Sequence, residues 1–110
     1  MIAELIREAA LEGVRDELPH SLMGVVVEMG EREGRRAGSP LLDIYASMIV
    51  ERDSQKGIMI GHQGERLKQI GAAARRQIVE LVGMPVHLDL RVKVLKDWQR
   101  DPKHLNRLGF

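Results

Sequence analysis

The sequence has 110 residues, the length of a single domain with one modest core. Its composition, 44% hydrophobic and 30% charged, is typical of an ordinary soluble globular protein rather than a disordered or membrane-spanning one. The absence of cysteine excludes disulfides, thiolate zinc sites and a cysteine nucleophile. The first residues, MIAELIREAALEG, lack the basic flank and continuous apolar stretch of a secretory signal and are expected to be structural.

The charges are unevenly divided along the chain, although the formal net charge is only +1. Residues 1–55 carry six Lys/Arg and eleven Asp/Glu, whereas residues 56–110 carry eleven Lys/Arg and five Asp/Glu. A basic segment can face a polyanion, because neutralising phosphates releases condensed counterions. Halves of a sequence need not form opposite faces of a fold, however, so the asymmetry alone indicates no more than a candidate nucleic-acid surface.

The first half of the chain predicts a helix followed by two strands. Apolar residues at spacings of three and four predict an amphipathic helix over residues 2 to about 17. After Pro19, a β-branched run predicts a strand within residues 21–29. The glycine-rich, mixed-charge segment 30–40 (GEREGRRAGSP) predicts the longest loop. The period-two pattern of residues 42–50 then predicts a strand with one buried face.

The second half predicts two helices, a strand and a final helix. Ser54 is a candidate N-cap for a short helix over residues 56–60, and GHQG at 61–64 separates it from a long helix over residues 65–82. Residues 86–94 alternate without a fault and predict a third strand, and residues 97–108 predict a short helix. The order α-β-β-α-α-β-α predicts an α+β fold, with a three-stranded sheet covered on one face by helices.

The segment KGIMIGHQGERLKQIG, residues 56–71, carries the features of a phosphate contact. Gly61 and Gly64 permit backbone angles closed to other residues and leave no side chain to hold a ligand away. Their loop opens into a helix whose first N–H groups lack internal partners and carry partial positive charge. An isolated GxxG is nevertheless more often a simple turn between helices, so the motif alone is a weak indication.

The longer pattern IGxxGxxLxxI, placed between two alternating strands, resembles the KH RNA-binding module in its bacterial type II arrangement. In that family the loop clamps the backbone of about four unpaired nucleotides while the bases lie in an apolar groove beside the strand. The resemblance implies a clamp, groove walls and phosphate neighbours, and two basic residues on the last strand are secondary candidates. The implied clamp is Gly61, His62, Gln63 and Gly64, and the implied groove walls are Ile60 and Ile70. The implied phosphate neighbours are Lys56, Arg66 and Lys68, and the secondary candidates on the last strand are Arg91 and Lys93.

Four further segments, with Trp98, are similar to the carboxy-terminal KH domain of the Era family of ribosome-assembly GTPases. They are RDELPHS, LLDIYASMIVERDSQK, PVHLDLRVKV and the final RLGF. This resemblance implies a partner of single-stranded RNA near the 3′ end of the small-subunit (16S) ribosomal RNA, in the assembling 30S subunit, and no DNA. It also implies a cytoplasmic location, with the inner face of the cell membrane as a peripheral site of the parent protein.

The chain itself is expected to have no catalysis, cofactor or metal. GTP and Mg would belong to a separate amino-terminal domain, because no G-x-x-x-x-G-K-[ST] phosphate loop is present, and residues 1–110 are expected to be one excised domain. The alternative is a protein-interaction module that docks a ribosomal protein or the parent GTPase domain through the same groove or through the 30–40 loop. Salt dependence separates the two, since RNA binding weakens steeply with salt.

Overall fold

A three-stranded sheet with helices on one face makes up the part of the chain that the structure describes, residues 1–14 and 22–95 of a computed structural model. In chain order the elements are α1 (Ile2–Val14), β1 (Gly24–Glu31), β2 (Leu42–Val50), α2 (Asp53–Ile60), a 3-10 turn (His62–Gly64), α3 (Glu65–Val82) and β3 (Val86–Val94). The observed order α-β-β-α-α-β confirms the predicted α+β fold over these residues.

The strands lie in the order β1-β2-β3. β1 and β2 form an antiparallel hairpin, whereas β2 and β3 are parallel and aligned from Leu42 opposite Val86 to Val50 opposite Val94. Parallel neighbours require a crossover connection, and α2 and α3 supply it. The GHQG loop therefore lies in the middle of the crossover, at the junction of its two helices.

The core lies between the sheet and the helices. The even-numbered residues of β2 from position 44 onwards are at most 2% exposed, as the alternating pattern predicts. Helical residues meet them in one cluster; they include Ile6, Ala10, Met59, Ala74 and Ile78. The odd-numbered residues of β2 form the other face of the sheet. Ile49 is on that face and is also buried, at 1% exposure, but it lies outside the main cluster.

Several boundaries differ from the sequence prediction. β1 continues to Glu31, so the hairpin loop is shorter than residues 30–40, and Arg32 N–H donates to Leu41 O across it. α2 begins at Asp53, and its N-cap is Arg52 rather than Ser54. The reason is Gln55, whose side-chain oxygen accepts from the N–H groups of Glu51 and Arg52, at 3.0 and 2.9 Å. The end of the predicted first helix and the predicted helix over 97–108 lie outside the described residues.

An ion pair links the hairpin loop to the outer face of β2. The Arg32 guanidinium donates to both carboxylate oxygens of Asp43, from Nε to Oδ2 at 2.9 Å and from Nη2 to Oδ1 at 2.6 Å. These hydrogen bonds lower the pKa of Asp43, and partial desolvation opposes them. Arg35 holds the same loop by donating to Ser39 O at 2.6 Å. Arg32 thus links the loop to the sheet, and Arg35 holds the loop together internally.

Replacing Asp43 tests this ion pair through its pH dependence. Because the folded-state pKa of Asp43 lies below its unfolded value of about 3.9, the stabilisation is fully present above that pH and is lost as the pH falls through the folded value. Asp43→Asn should therefore lower the melting temperature slightly near pH 7 and by less near pH 2. Circular dichroism melts at both pH values measure this. A decrease of equal size at both would contradict the ion pair.

Candidate nucleic-acid interface

The GHQG loop is a compact turn between α2 and α3. Gly61 N–H donates to Gly57 O at 2.9 Å and closes α2, and Gly64 N–H donates to Gly61 O at 3.3 Å. Gly61 has φ 76° and ψ −177°, and Gly64 has φ 77° and ψ 8°. Both residues have a positive φ, a backbone conformation that is strained for any residue with a side chain, so the loop needs glycine at both positions.

The two glycines are needed for different reasons. A Cβ on Gly61 would lie 2.6 Å from the Cβ of Arg66 and 3.0 Å from its backbone nitrogen, closer than real contacts allow. A Cβ on Gly64 would meet no described atom within 4 Å. Gly61 thus permits the loop to pack on the first turn of α3. Gly64 leaves open space at the same turn, where a ligand backbone could approach.

The side chains at the tip of the loop, His62 and Gln63, are exposed. Gln63 has φ 53° and ψ 29°, and among the described residues it is the only non-glycine with a positive φ. This left-handed conformation costs roughly 1–2 kcal/mol for a residue with a side chain. Strained backbone of this kind is concentrated at ligand-binding sites. This conformation of Gln63 continues the turn of the backbone between Gly61 and Gly64.

The N-terminus of α3 adds partial positive charge beside the loop. Its N-cap is Gly64, and within the described residues no side chain caps this end, although Glu65 N–H donates to His62 O. The N–H groups of a first helical turn favour anions. Lys68 lies exposed one turn along the helix, and Lys56 is half-buried on α2. The carboxylate of Glu65 in the same turn partly offsets these charges.

Half-buried apolar side chains lie on α2, α3 and β3, which are the two crossover helices and the strand that both of them contact. They pack against the core without being fully covered; they are Ile58, Ile60, Leu67, Leu88, Leu90 and Val94. Both helices of the crossover contact β3, which within the described residues has no strand on its outer side. Ile60 fits the predicted groove. Ile70 is only 2% exposed and points toward α1, with its Cγ1 3.1 Å from where a Gly13 Cβ would be, so its contribution to a groove is indirect.

The outer edge of β3 is partly occupied by a side chain of α3. Leu42 N–H donates to Pro85 O and Leu95 N–H to Val50 O, so the odd-numbered residues of β3 bond to β2 and the even-numbered ones turn their N–H and C=O groups outward. Arg75 Nε donates to the first of these outward carbonyls, Val86 O, at 2.7 Å. The sequence alone left Arg75 either as a helix-surface charge or as an RNA contact, and the periodicity of α3 gave no signal of this hydrogen bond to β3.

The basic residues predicted as RNA contacts fall into two groups. Lys56, Arg66 and Lys68 lie on α2 and α3 near the loop. Arg91 and Lys93 pair with Ser47 and Ile49 and so belong to the sheet face opposite the helices.

That opposite face holds a depression of about 480 Å³, lined by residues that include Tyr45, Arg91 and Lys93. Arg91 Nε donates to Asp89 Oδ1 at 3.1 Å, a hydrogen bond that raises the pKa of Arg91. The secondary candidates of the sequence analysis are therefore on a different surface from the loop.

Within residues 1–14 and 22–95, no group of three or more His, Asp or Glu side chains could hold a metal ion. Over the same residues, no helix is both long and apolar enough to cross a membrane.

The KH domain family model matches residues 17–99, and the chain belongs to this family. KH domains bind single-stranded nucleic acid through a GXXG loop of the type found here at residues 61–64. The KH domain is an RNA-binding module and not a catalytic one.

Similar proteins carry the name GTPase Era. The chain is 66% identical to Era of Nocardioides sp. (strain ATCC BAA-499 / JS614), 67% to that of Streptomyces coelicolor and 64% to that of Mycobacterium tuberculosis, in each case over all 110 residues. It spans only 35–36% of the length of these relatives. The match therefore covers about a third of each protein.

Solved Era structures have the same fold. A variant of Aquifex aeolicus Era bound to GDP·AlF4⁻ matches with a TM-score of 0.76 and 38% identity, over 98% of this chain and 35% of that one. Era in complex with MgGDPNP and nucleotides 1506–1542 of 16S ribosomal RNA matches with a TM-score of 0.75, also at 38% identity.

Proposed function

We propose that the chain is the RNA-recognition domain of an Era-type GTPase and that its GHQG loop clamps single-stranded RNA near the 3′ end of 16S ribosomal RNA during 30S assembly. The observation that carries the proposal is the geometry of the loop: two positive-φ glycines, an exposed tip and open space at Gly64, directly before the N-terminus of α3. The solved relative in complex with 16S nucleotides supports the choice of RNA.

Each part of the site has its own role in this proposal. Phosphates lie against Gly61, His62, Gln63 and Gly64 and the first N–H groups of α3, with Lys56 and Lys68 close by. Bases lie in the apolar groove that Ile60 borders, beside β3. Neither a neutral His62 nor Gln63 carries a charge, so the backbone N–H groups and the lysines supply most of the attraction for phosphate. RNA would reach Arg91 and Lys93, on the sheet face opposite the helices, only if the RNA strand continued around the edge that β3 forms.

The other activities of the parent protein belong to the part of the parent that lies outside the match with this chain. Residues 1–110 form one KH-type domain without a cofactor, and GTP hydrolysis with GTP and Mg takes place elsewhere in the parent. The parent acts in the cytoplasm on the 30S subunit, and contact with the inner face of the cell membrane would also be a property of the parent. The expected nucleic acid is RNA and not DNA.

A second candidate function is protein docking through the same groove or through the hairpin loop. Residues 32–40 of the hairpin loop are exposed, and Arg32 and Arg35 in this loop already bind Asp43 and Ser39. An apolar docking surface would bind almost independently of salt, whereas single-stranded RNA loses affinity with a log-log slope near −0.7 per neutralised phosphate. A salt titration of the wild-type chain with a 16S 3′-end oligonucleotide therefore separates the two functions.

Replacing Lys68 tests the position of the RNA backbone. Lys68→Gln should reduce the magnitude of the salt slope by about 0.7, because one fewer phosphate is neutralised. Fluorescence anisotropy with a labelled single-stranded RNA at several salt concentrations measures the slope. Arg36→Gln in the hairpin loop is the matched control and should leave the slope unchanged. If Lys93→Gln reduced the slope and Lys68→Gln did not, the RNA would lie on the open face of the sheet.

A further inference from the structure

Arg66, a predicted phosphate neighbour, contacts both the end of α2 and the GHQG loop. Its Nη1 donates to Ile58 O, in the last turn of α2, at 2.9 Å. The carbonyls of a last helical turn lack partners within the helix and carry partial negative charge, so a guanidinium is a suitable donor there. One side chain of α3 thus closes the end of α2.

The backbone end of the same residue packs against Gly61. The Cβ and nitrogen of Arg66 are the atoms nearest to the position that a Gly61 Cβ would take, at 2.6 and 3.0 Å. Arg66 therefore contacts both sides of the junction between α2 and the loop: its guanidinium binds α2, and its Cβ packs against Gly61. No other predicted site residue among those described spans the two helices in this way.

The side chain of Arg66 also borders the surface between α1 and α3. It is half-buried and lines a depression of about 390 Å³ between α1 and α3, together with Glu8 and Glu12. Two carboxylates make this depression unfavourable for a phosphate. Lys68, by contrast, is exposed.

We infer that Arg66 is a positioning residue, which sets the geometry of the GHQG loop by joining the end of α2 to the first turn of α3, and that it does not neutralise an RNA phosphate. The inference deepens the proposed function and rests on it only for the RNA measurement below. The hydrogen bond from Gly61 N–H to Gly57 O, 2.9 Å long, reports the loop geometry in the free protein.

The first measurement is amide hydrogen exchange of the free protein by NMR. Arg66→Gln should accelerate exchange of the Gly61 amide at least about tenfold, and Arg66→Lys should restore part of the protection, because an ammonium can donate one hydrogen bond to Ile58 O. The Gly83 amide, which donates to Val79 O at the other end of α3, is the internal control and should be unchanged. Lys68→Gln should change neither amide. Unchanged exchange at Gly61 in Arg66→Gln would overturn the inference.

The second measurement is the salt dependence of RNA binding by the same variants. Arg66→Gln should weaken binding about tenfold at every salt concentration and leave the slope as in the wild type, whereas Lys68→Gln should reduce the slope. A slope reduced by about 0.7 in Arg66→Gln would make Arg66 a phosphate contact and overturn the inference. If the wild-type chain bound no RNA, the proposed function would fail, and exchange at Gly61 would still decide whether Arg66 positions the loop.

Discussion

A chain carrying both His62→Asp and Gln63→Asp is expected to bind single-stranded RNA at least about a hundredfold more weakly than the wild type, because two carboxylates at the clamp would repel the phosphates. A hundredfold loss corresponds to about 2.7 kcal/mol, within the range of like-charge juxtapositions in binding sites. Anisotropy titrations with a labelled oligonucleotide of the 16S 3′ end measure the loss.

The double variant should stay folded, so that the loss of binding is specific. Both side chains are exposed, and Asp tolerates the left-handed conformation of residue 63 better than Gln does. Acidic residues just before a helix also interact favourably with its N-terminus. The melting temperature should therefore be equal to that of the wild type or slightly higher. Stability unchanged while RNA binding is lost is the signature of a binding site.

A matched control places the same two charges at the far end of the molecule. α3 has 18 residues and is about 27 Å long, and its C-terminus leads directly into β3, whose first residue pairs with Leu42 beside the hairpin loop. Ala37→Asp with Ser39→Asp in that loop should leave RNA affinity within about twofold at moderate salt, because the charges are screened beyond about 10 Å. If both double variants lost binding equally, the effect would be one of net charge and not of the clamp.

The elements that the sequence predicted well are those with a complete hydrophobic period. In residues 42–50, 65–82 and 86–94 the apolar pattern extends over the whole segment, and β2, α3 and β3 have these same bounds. α2 was harder, because its start depends on one side chain: Gln55 reaches back to the N–H groups of residues 51 and 52. Spacing alone favoured Ser54, which is the more common type of cap.

The site was predicted in its position but not in its internal contacts. A GxxG followed by an amphipathic helix is visible in the sequence, as is the need for positive φ. The difference between the glycines is not, because it depends on where the Cβ of Arg66 lies in space. Arg91 and Lys93 could be assigned to the polar side of a strand, but the separation of that face from the GHQG loop depends on how the crossover helices pack on the sheet.

The unequal surroundings of the two glycines lead to unequal expected costs. Gly61→Ala should destabilise the domain by about 2–4 kcal/mol, because the new Cβ adds a clash with Arg66 to an unfavourable backbone conformation. Gly64→Ala should cost about 1–2 kcal/mol, since its Cβ meets no described atom and only the left-handed φ of 77° is unfavourable. Urea denaturation followed by circular dichroism gives both values.

The effect of Gly64→Ala on RNA binding should have a cause separate from its effect on stability. In Gly64→Ala the added methyl group lies in the open space beside the first turn of α3, where the proposal places the RNA backbone, so affinity should fall even under conditions where the variant is fully folded. Gly64→Asn provides the control for backbone conformation, because Asn adopts a positive φ more readily than Ala. It should recover stability relative to Gly64→Ala without recovering affinity, since its side chain occupies the same space. Recovery of both would show that Gly64 contributes only its backbone angle and that RNA approaches the loop from another side.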